Sequence, residues 1–158
     1  MNIIIRKSKK EDMPQVLELI RELALYEKAP HEVTNTVEDM IRDGFGDNQV
    51  FHCDVAESAN AIVGIAIYYI KYSTWKGKGL YLDDIIVTEK LRGNGIGKKL
   101  FNRVIKTAHE LNVNQLHWQV LEWNEPAINF YKKYPSSFDN EWINCKLDKN
   151  QMLELSKI

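Results

Sequence analysis

Residues 92–100 read Arg-Gly-Asn-Gly-Ile-Gly-Lys-Lys-Leu, with three glycines in five positions and two lysines directly behind them. Glycines let successive backbone N–H groups turn toward one point, and the start of a helix adds partial positive charge, so the stretch suits a pyrophosphate. Lys98 and Lys99 fit that chemistry, because cations in a first helical turn oppose the macrodipole unless an anion sits there. A flexible turn with a solvated basic face is the plainer alternative. Two familiar phosphate motifs do not fit. A P-loop needs glycine where Arg92 stands and Ser or Thr where Lys99 follows Lys98, and in a dinucleotide fingerprint the third glycine belongs at Lys98, not Gly97.

Other residues carry chemistry of their own. Asp83 and Asp84 are adjacent, so on a regular strand they face opposite sides and only one can serve a cleft. Asn124 and Tyr131 are seven apart, two helical turns, which puts both on one side of a helix. Trp75, in the Tyr-Ser-Thr-Trp-Lys-Gly-Lys stretch 72–78, offers a ring face to an amine or anchors its loop on the sheet. Cys53 and Cys145 form no CxxC or Cys/His metal spacing, and the four histidines are scattered. No metal site is expected, and the cysteines read as structural in a reduced, cytoplasmic protein.

The elements that must position these groups follow from periodicity. Residues 2–6 are apolar and β-branched, a strand. In 8–28, Val16, Leu17, Ile20, Leu23 and Ala24 recur at helical spacing. Asp12 as N-cap keeps Pro14 in the first turn, with Ser8–Glu11 as a preceding turn. Residues 36–46 predict a short helix ending at Gly44. Strands are expected at 50–57, 61–72 and 79–87, the first two flanking a hairpin-sized turn, all three forming an antiparallel meander. A helix follows the glycine stretch with Leu100, Val104, Ala108 and Leu111 on one face. Residues 115–121 predict a strand. Residues 124–134 predict a helix capped by Asn124, with Pro126 in its first turn. A final strand at 141–148 and a terminal helix complete the order β-α-α-β-β-β-α-β-α-β-α. This is an α/β (α+β) chain, a mixed, mostly antiparallel sheet with helices on both faces, and residues 1–158 read as one domain.

Bulk properties exclude several classes. The chain has 158 residues, 44% of them hydrophobic and 27% charged, with a net charge of −1, so nothing draws it globally to nucleic acid. No apolar run approaches a membrane span, and the N-terminus lacks the pattern of a signal peptide.

An Arg-x-x-Gly-x-Gly loop after the third strand of a meander, then a helix, a strand and Asn-Phe-Tyr on a further helix, resembles the GNAT acetyltransferase superfamily over nearly the whole chain. Residues 22–28 (ELALYEK), 43–46 (DGFG), 81–87 (YLDDIIV), 92–97 (RGNGIG) and 122–133 (EWNEPAINFYKK) are similar to the diamine acetyltransferases, spermidine/spermine N1-acetyltransferase and its thialysine-acetylating paralogue. The resemblance implies a GNAT fold, acetyl-CoA as co-substrate, direct transfer to a primary amine of a small molecule, and a homodimer, while charge and hydropathy leave no nucleic-acid or membrane partner expected.

It also implies roles. Arg92, Gly93, Asn94, Gly95, Ile96, Gly97 and Lys98 hold the pyrophosphate. Backbone groups of Ile85, Ile86 and Val87 meet the pantetheine arm, with Asn124 and Pro126 helping to hold it. Tyr131 is the general acid, or a hydrogen-bond donor, to the departing thiolate. Asp83, where the family usually has glutamate, attracts the ammonium and relays its proton. Tyr26, Glu27 and Trp75 match substrate-cleft positions. The polyamine enzymes carry an acidic residue two places before the tryptophan; Ser73 stands there instead, as in the thialysine-type paralogue. That favours a lysine-like amine bearing its own carboxylate, which Lys76 or Lys78 would meet. The competing readings are a polyamine N1-acetyltransferase, a protein-lysine acetyltransferase and a non-catalytic CoA-binding module. Residues 134–142 depart from the family, which has a Gly-containing turn there.

Overall fold

Two short turns join the three central strands of the five-stranded sheet. Ala59 and Asn60 both take positive φ, 49° and 65°, the conformation of a two-residue hairpin turn. This turn joins β2 (His52–Ser58) to β3 (Ala61–Ser73), and a turn over 74–76 joins β3 to β4 (Gly77–Val87). With β1 (Ile4–Lys7) added, the sheet runs β1-β2-β3-β4 antiparallel and ends with β5 (Gln115–Trp118) parallel to β4. The computed structural model describes residues 2–140 and 142–157.

Two helices precede the meander. In α1 (Met13–Tyr26) Pro14 occupies the first turn, as expected. Asp12 stands at the N-cap position, but its carboxylate accepts from the Lys9 N–H at 2.7 Å and from both Arg6 terminal nitrogens at 2.6 and 3.0 Å. The Arg6 hydrogen bonds, above all, hold the Asp12 carboxyl below its usual range. In α2 (Val37–Phe45) the Thr36 hydroxyl caps the Asp39 N–H. Gly44 lies inside α2 rather than ending it: a Cβ there would come within 2.6 Å of the Phe51 ring.

Helices pack on both faces of the sheet. Met13, Val16, Leu17 and Leu19 of α1 and Met40 of α2 form one core with Cys53, Val55, Ile65, Ile67 and Ile86. On the other face, α3 (Ile96–Glu110) buries Leu100, Phe101, Val104 and Ala108, while Leu111, expected on that face, is exposed at the helix end. Asp54 is fully buried there, accepting from the Tyr68 hydroxyl at 3.0 Å, with Arg103 of α3 3.8 Å from the same oxygen.

Residues Met1–Gln119 form one compact unit and Val120–Ile158 a second. The second contains α4 (Glu125–Tyr131) and α5 (Lys149–Leu155). The strand expected at 141–148 is absent: residues 142–148 take no regular structure, and Glu141 lies outside the described residues. A strand needs a ladder partner, and none of the described residues of this unit forms one. The observed order is therefore β-α-α-β-β-β-α-β-α-α. Mixed sheet and two-sided helical cover are as expected.

Candidate active site

The loop between β4 and α3 presents a row of free donors. Gly93 and Gly95 adopt φ of 81° and 76°, and Gly95 is the residue from which α3 starts. A Cβ on either would meet nothing within 4 Å, so glycine is required by backbone conformation, not by crowding. The Arg92 N–H donates to Glu89 and the Lys99 N–H to Gly95. Between them, the amides of residues 93 to 98 have no protein acceptor among the described residues. The Asn94 side-chain Nδ2 donates to the carbonyls of Leu91 and Arg92, fixing the loop. Lys98 and Lys99 are exposed and form no ion pair among the described residues. Six consecutive amides at a helix N-terminus, flanked by two such lysines, fit a diphosphate.

Beside this loop, β4 has a half-open edge. The Thr88 N–H donates to the Val63 carbonyl, so by antiparallel alternation the backbone groups of Ile86 and Asp84 also point to β3, and those of Ile85 and Val87 point away. Pairing with β5 stops at Leu82–Trp118. Ile85 and Val87 thus offer N–H groups along an edge that no described strand pairs. Ile86 does not: its backbone serves the β3 ladder and its side chain is in the α1 core.

The register corrects the reading of the paired aspartates. Ile67 faces Asp84 and Tyr68 faces Leu82, leaving Asp83 as the extra residue of a β-bulge. A bulge interrupts alternation, so adjacent positions no longer imply opposite sides. The Tyr81 hydroxyl feels both carboxylates, and Asp84 feels Asp83 and Glu27, the residue that ends α1. The three carboxylates form one acidic group on the α1 side of the sheet. Burial raises the Glu27 and Asp83 carboxyls above their usual values. Asp84 goes further: burial, then its two acidic neighbours, push it up to about 7. Sequence reasoning set Asp84 aside, and only the bulge could have kept it.

Arg92 points to α1 instead of into its own loop. Its Nε donates to the Val87 carbonyl at 3.0 Å, its guanidinium lies 4.9 Å from the Tyr26 ring centroid, and Glu22 is 3.6 Å away. Glu22, which carried no signal in the sequence, also accepts from the Thr88 hydroxyl at 3.0 Å and the Glu89 N–H at 2.7 Å. It ties the entrance of the glycine loop to the same helix that carries Tyr26 and Glu27.

Trp75 sits at the tip of the β3–β4 turn with 84% of its surface exposed, so it is not packed on the sheet. Ser73 accepts from the N–H groups of Trp75 and Lys76. Lys78 shares its side of β4 with Leu80 and Leu82, away from Tyr81. In the second unit, the Asn124 side chain caps α4 by accepting from the Ala127 N–H at 3.3 Å, and Pro126 lies in the first turn. Tyr131 is the last residue of α4, buried, with its ring edge-on to Phe130 at 5.2 Å.

The sequence profile of the Acetyltransferase (GNAT) family matches residues 13–134. The thialysine N-epsilon-acetyltransferase of Mus musculus is 37% identical over 96% of each chain. The spermidine/spermine N(1)-acetyltransferase-like protein 1 of Homo sapiens is 35% identical over 96% of this chain and 23% of its own length. Among solved structures, an integron cassette protein from the mobile metagenome of V. cholerae superposes with a TM-score of 0.79 at 23% identity, covering 100% of this chain and 99% of that one.

Proposed function

The chain belongs to the GNAT acetyltransferase family and is an N-acetyltransferase, and from that premise we propose that it transfers acetyl from acetyl-CoA to the distal amine of a lysine-like small molecule. The observation that carries the donor half is the run of six amides from Gly93 to Lys98 that have no acceptor among the described residues. They hold the diphosphate, with Lys98 alongside, and the outward N–H groups of Ile85 and Val87 bind the pantetheine amides. The co-substrate supplies an activated thioester carbonyl. Residues 1–158 act as one domain: Asn124 and Pro126 shape the capped start of α4 that supports the donor, and Tyr131 gives a hydrogen bond or proton to the leaving sulfur. A phenol near 10 protonates a thiolate near 8.5 only uphill, by about 2 kcal/mol, so the hydrogen bond is the larger part of its role.

The acidic group supports the acceptor half. An alkylammonium has a pKa near 10.4, and moving its proton to an ordinary aspartate costs about 9 kcal/mol in reference values. A carboxyl lifted to about 7 brings that to about 5 kcal/mol. We therefore assign Asp83 and Glu27 to attracting the ammonium and Asp84 to receiving its proton, with Tyr26 lining the entrance. Trp75, at its exposed turn, meets the outer part of the acceptor. Relatives named for thialysine and for spermidine/spermine frame the choice of amine, and Ser73 in place of an acid favours the former. Rates with thialysine, lysine, putrescine and spermidine at equal concentration test it; a tenfold preference for spermidine contradicts the lysine-like reading.

The enzyme is read as cytoplasmic. No described helix is long and apolar enough to cross a membrane. It is also read as a homodimer, which exposed apolar residues such as Trp142, Ile143 and Leu147 support; sedimentation velocity checks this.

A further inference from the structure

Lys71 is placed unlike the other cations of the β3–β4 hairpin. Its Nζ lies 3.0 Å from His117 Nδ1 and 5.2 Å from the centroid of the Tyr81 ring, and among the described residues it has no carboxylate partner. An ammonium donates, so His117 Nδ1 is the accepting nitrogen. The neighbours hold this arrangement. The Tyr81 ring is edge-on to His117 at 5.2 Å and lies 5.3 Å from Tyr69. Its hydroxyl donates to Gln119 at 2.9 Å.

These groups share the side of the sheet that carries the acidic group. Tyr69 pairs with Tyr81 and Lys71 with Gly79 across β3 and β4, and the Tyr69 and Tyr81 hydroxyls both feel the charge of Asp83. An exposed cation thus stands at one end of an aromatic platform and three carboxylates at the other. Lys71 stands opposite Gly79 and Asp84 opposite Ile67, with the Tyr69–Tyr81 pair between them.

We propose that Lys71, oriented by His117 and Tyr81, binds the α-carboxylate of the acceptor while the distal amine meets Asp83 and Asp84. The charge at the far end of the platform then selects diaminocarboxylic acids over diamines. A diamine brings its second ammonium toward Lys71, and this repulsion is as much a part of selectivity as the attraction. The assignment rests on the small-amine reading above and replaces Lys78, which lies on the other side of β4.

The test compares L-lysine and thialysine with cadaverine, which is lysine without its carboxylate, in the wild type and in Lys71→Met and Lys71→Arg. Wild type should favour thialysine over cadaverine by tenfold or more in kcat/KM. Lys71→Met should lower that ratio at least tenfold through the KM for thialysine, with the KM for acetyl-CoA unmoved, and Lys71→Arg should restore most of it. Equal losses with all three amines, an unchanged ratio, or a wild type indifferent to the carboxylate overturns the proposal. A wild type that acetylates none of the three sinks the small-amine reading itself, and the two failures are thereby told apart.

Discussion

Replacing Asp84 with asparagine should make the protein more stable and nearly inactive. Asp84 is held at about 7 when folded, against an ordinary 3.8, and the gap corresponds to about 4 kcal/mol. The sign follows from linkage. Between about pH 4 and 7 the folded state keeps a proton on this carboxyl that the unfolded chain has released, so wild-type stability falls as pH rises through that window. Asparagine removes the penalty. Because Asp83 and Glu27 share the titration, the apparent value belongs to the group, and a gain of about 2–4 kcal/mol at pH 8 is expected, shrinking toward zero at pH 4. For a domain of this size that is about 5–10 °C in Tm. Urea and thermal melts of both proteins at the two pH values measure it. In parallel, kcat/KM should fall by about 10²–10⁴-fold, the range for losing a positioned base. A variant no more stable than wild type at pH 8, or one keeping a tenth of wild-type activity, refutes the role given to Asp84.

Three further substitutions probe the donor side. Gly95→Ala keeps open space around its Cβ but forces a side chain onto φ of 76°; a loss of about 1–2 kcal/mol and a raised KM for acetyl-CoA are expected from melts and steady-state kinetics. Glu22→Gln weakens the links to Arg92, Thr88 and Glu89 and should raise the KM for acetyl-CoA about tenfold, while Glu22→Asp recovers part of it; an unmoved KM argues that the loop holds itself. Tyr131→Phe should lower kcat by about 10²-fold with calorimetric CoA affinity unchanged, and wild-type kcat in that variant removes the tyrosine from the reaction.

Much of this was legible because it is local. The start of α1 after Asp12, the cap at Asn124, the hairpin turn at 59–60 and the glycine loop are all decided by residues within a few positions of one another. The bulge at Asp83 is not local. It is set by how β4 registers against Ile67 and Tyr68 of β3, and without it the two aspartates were read as facing apart. Glu22 and Lys71 escaped notice for a related reason: their partners are 66 and 46 positions away. The strand expected at 141–148 failed in the opposite direction. Alternation in Ile143, Cys145 and Leu147 mimics a strand, but pattern alone supplies no neighbouring ladder, and Ile143 is left 89% exposed.

The claim on which the account turns is that backbone amides 93–98 grip a diphosphate. Isothermal titration with CoA and, separately, with pantetheine, which has the same thiol arm without the diphosphate, tests it directly. CoA should bind at least a hundredfold more tightly than pantetheine, with the difference lost in strong salt. Equal affinities, or no heat from CoA at millimolar concentration, would contradict the claim.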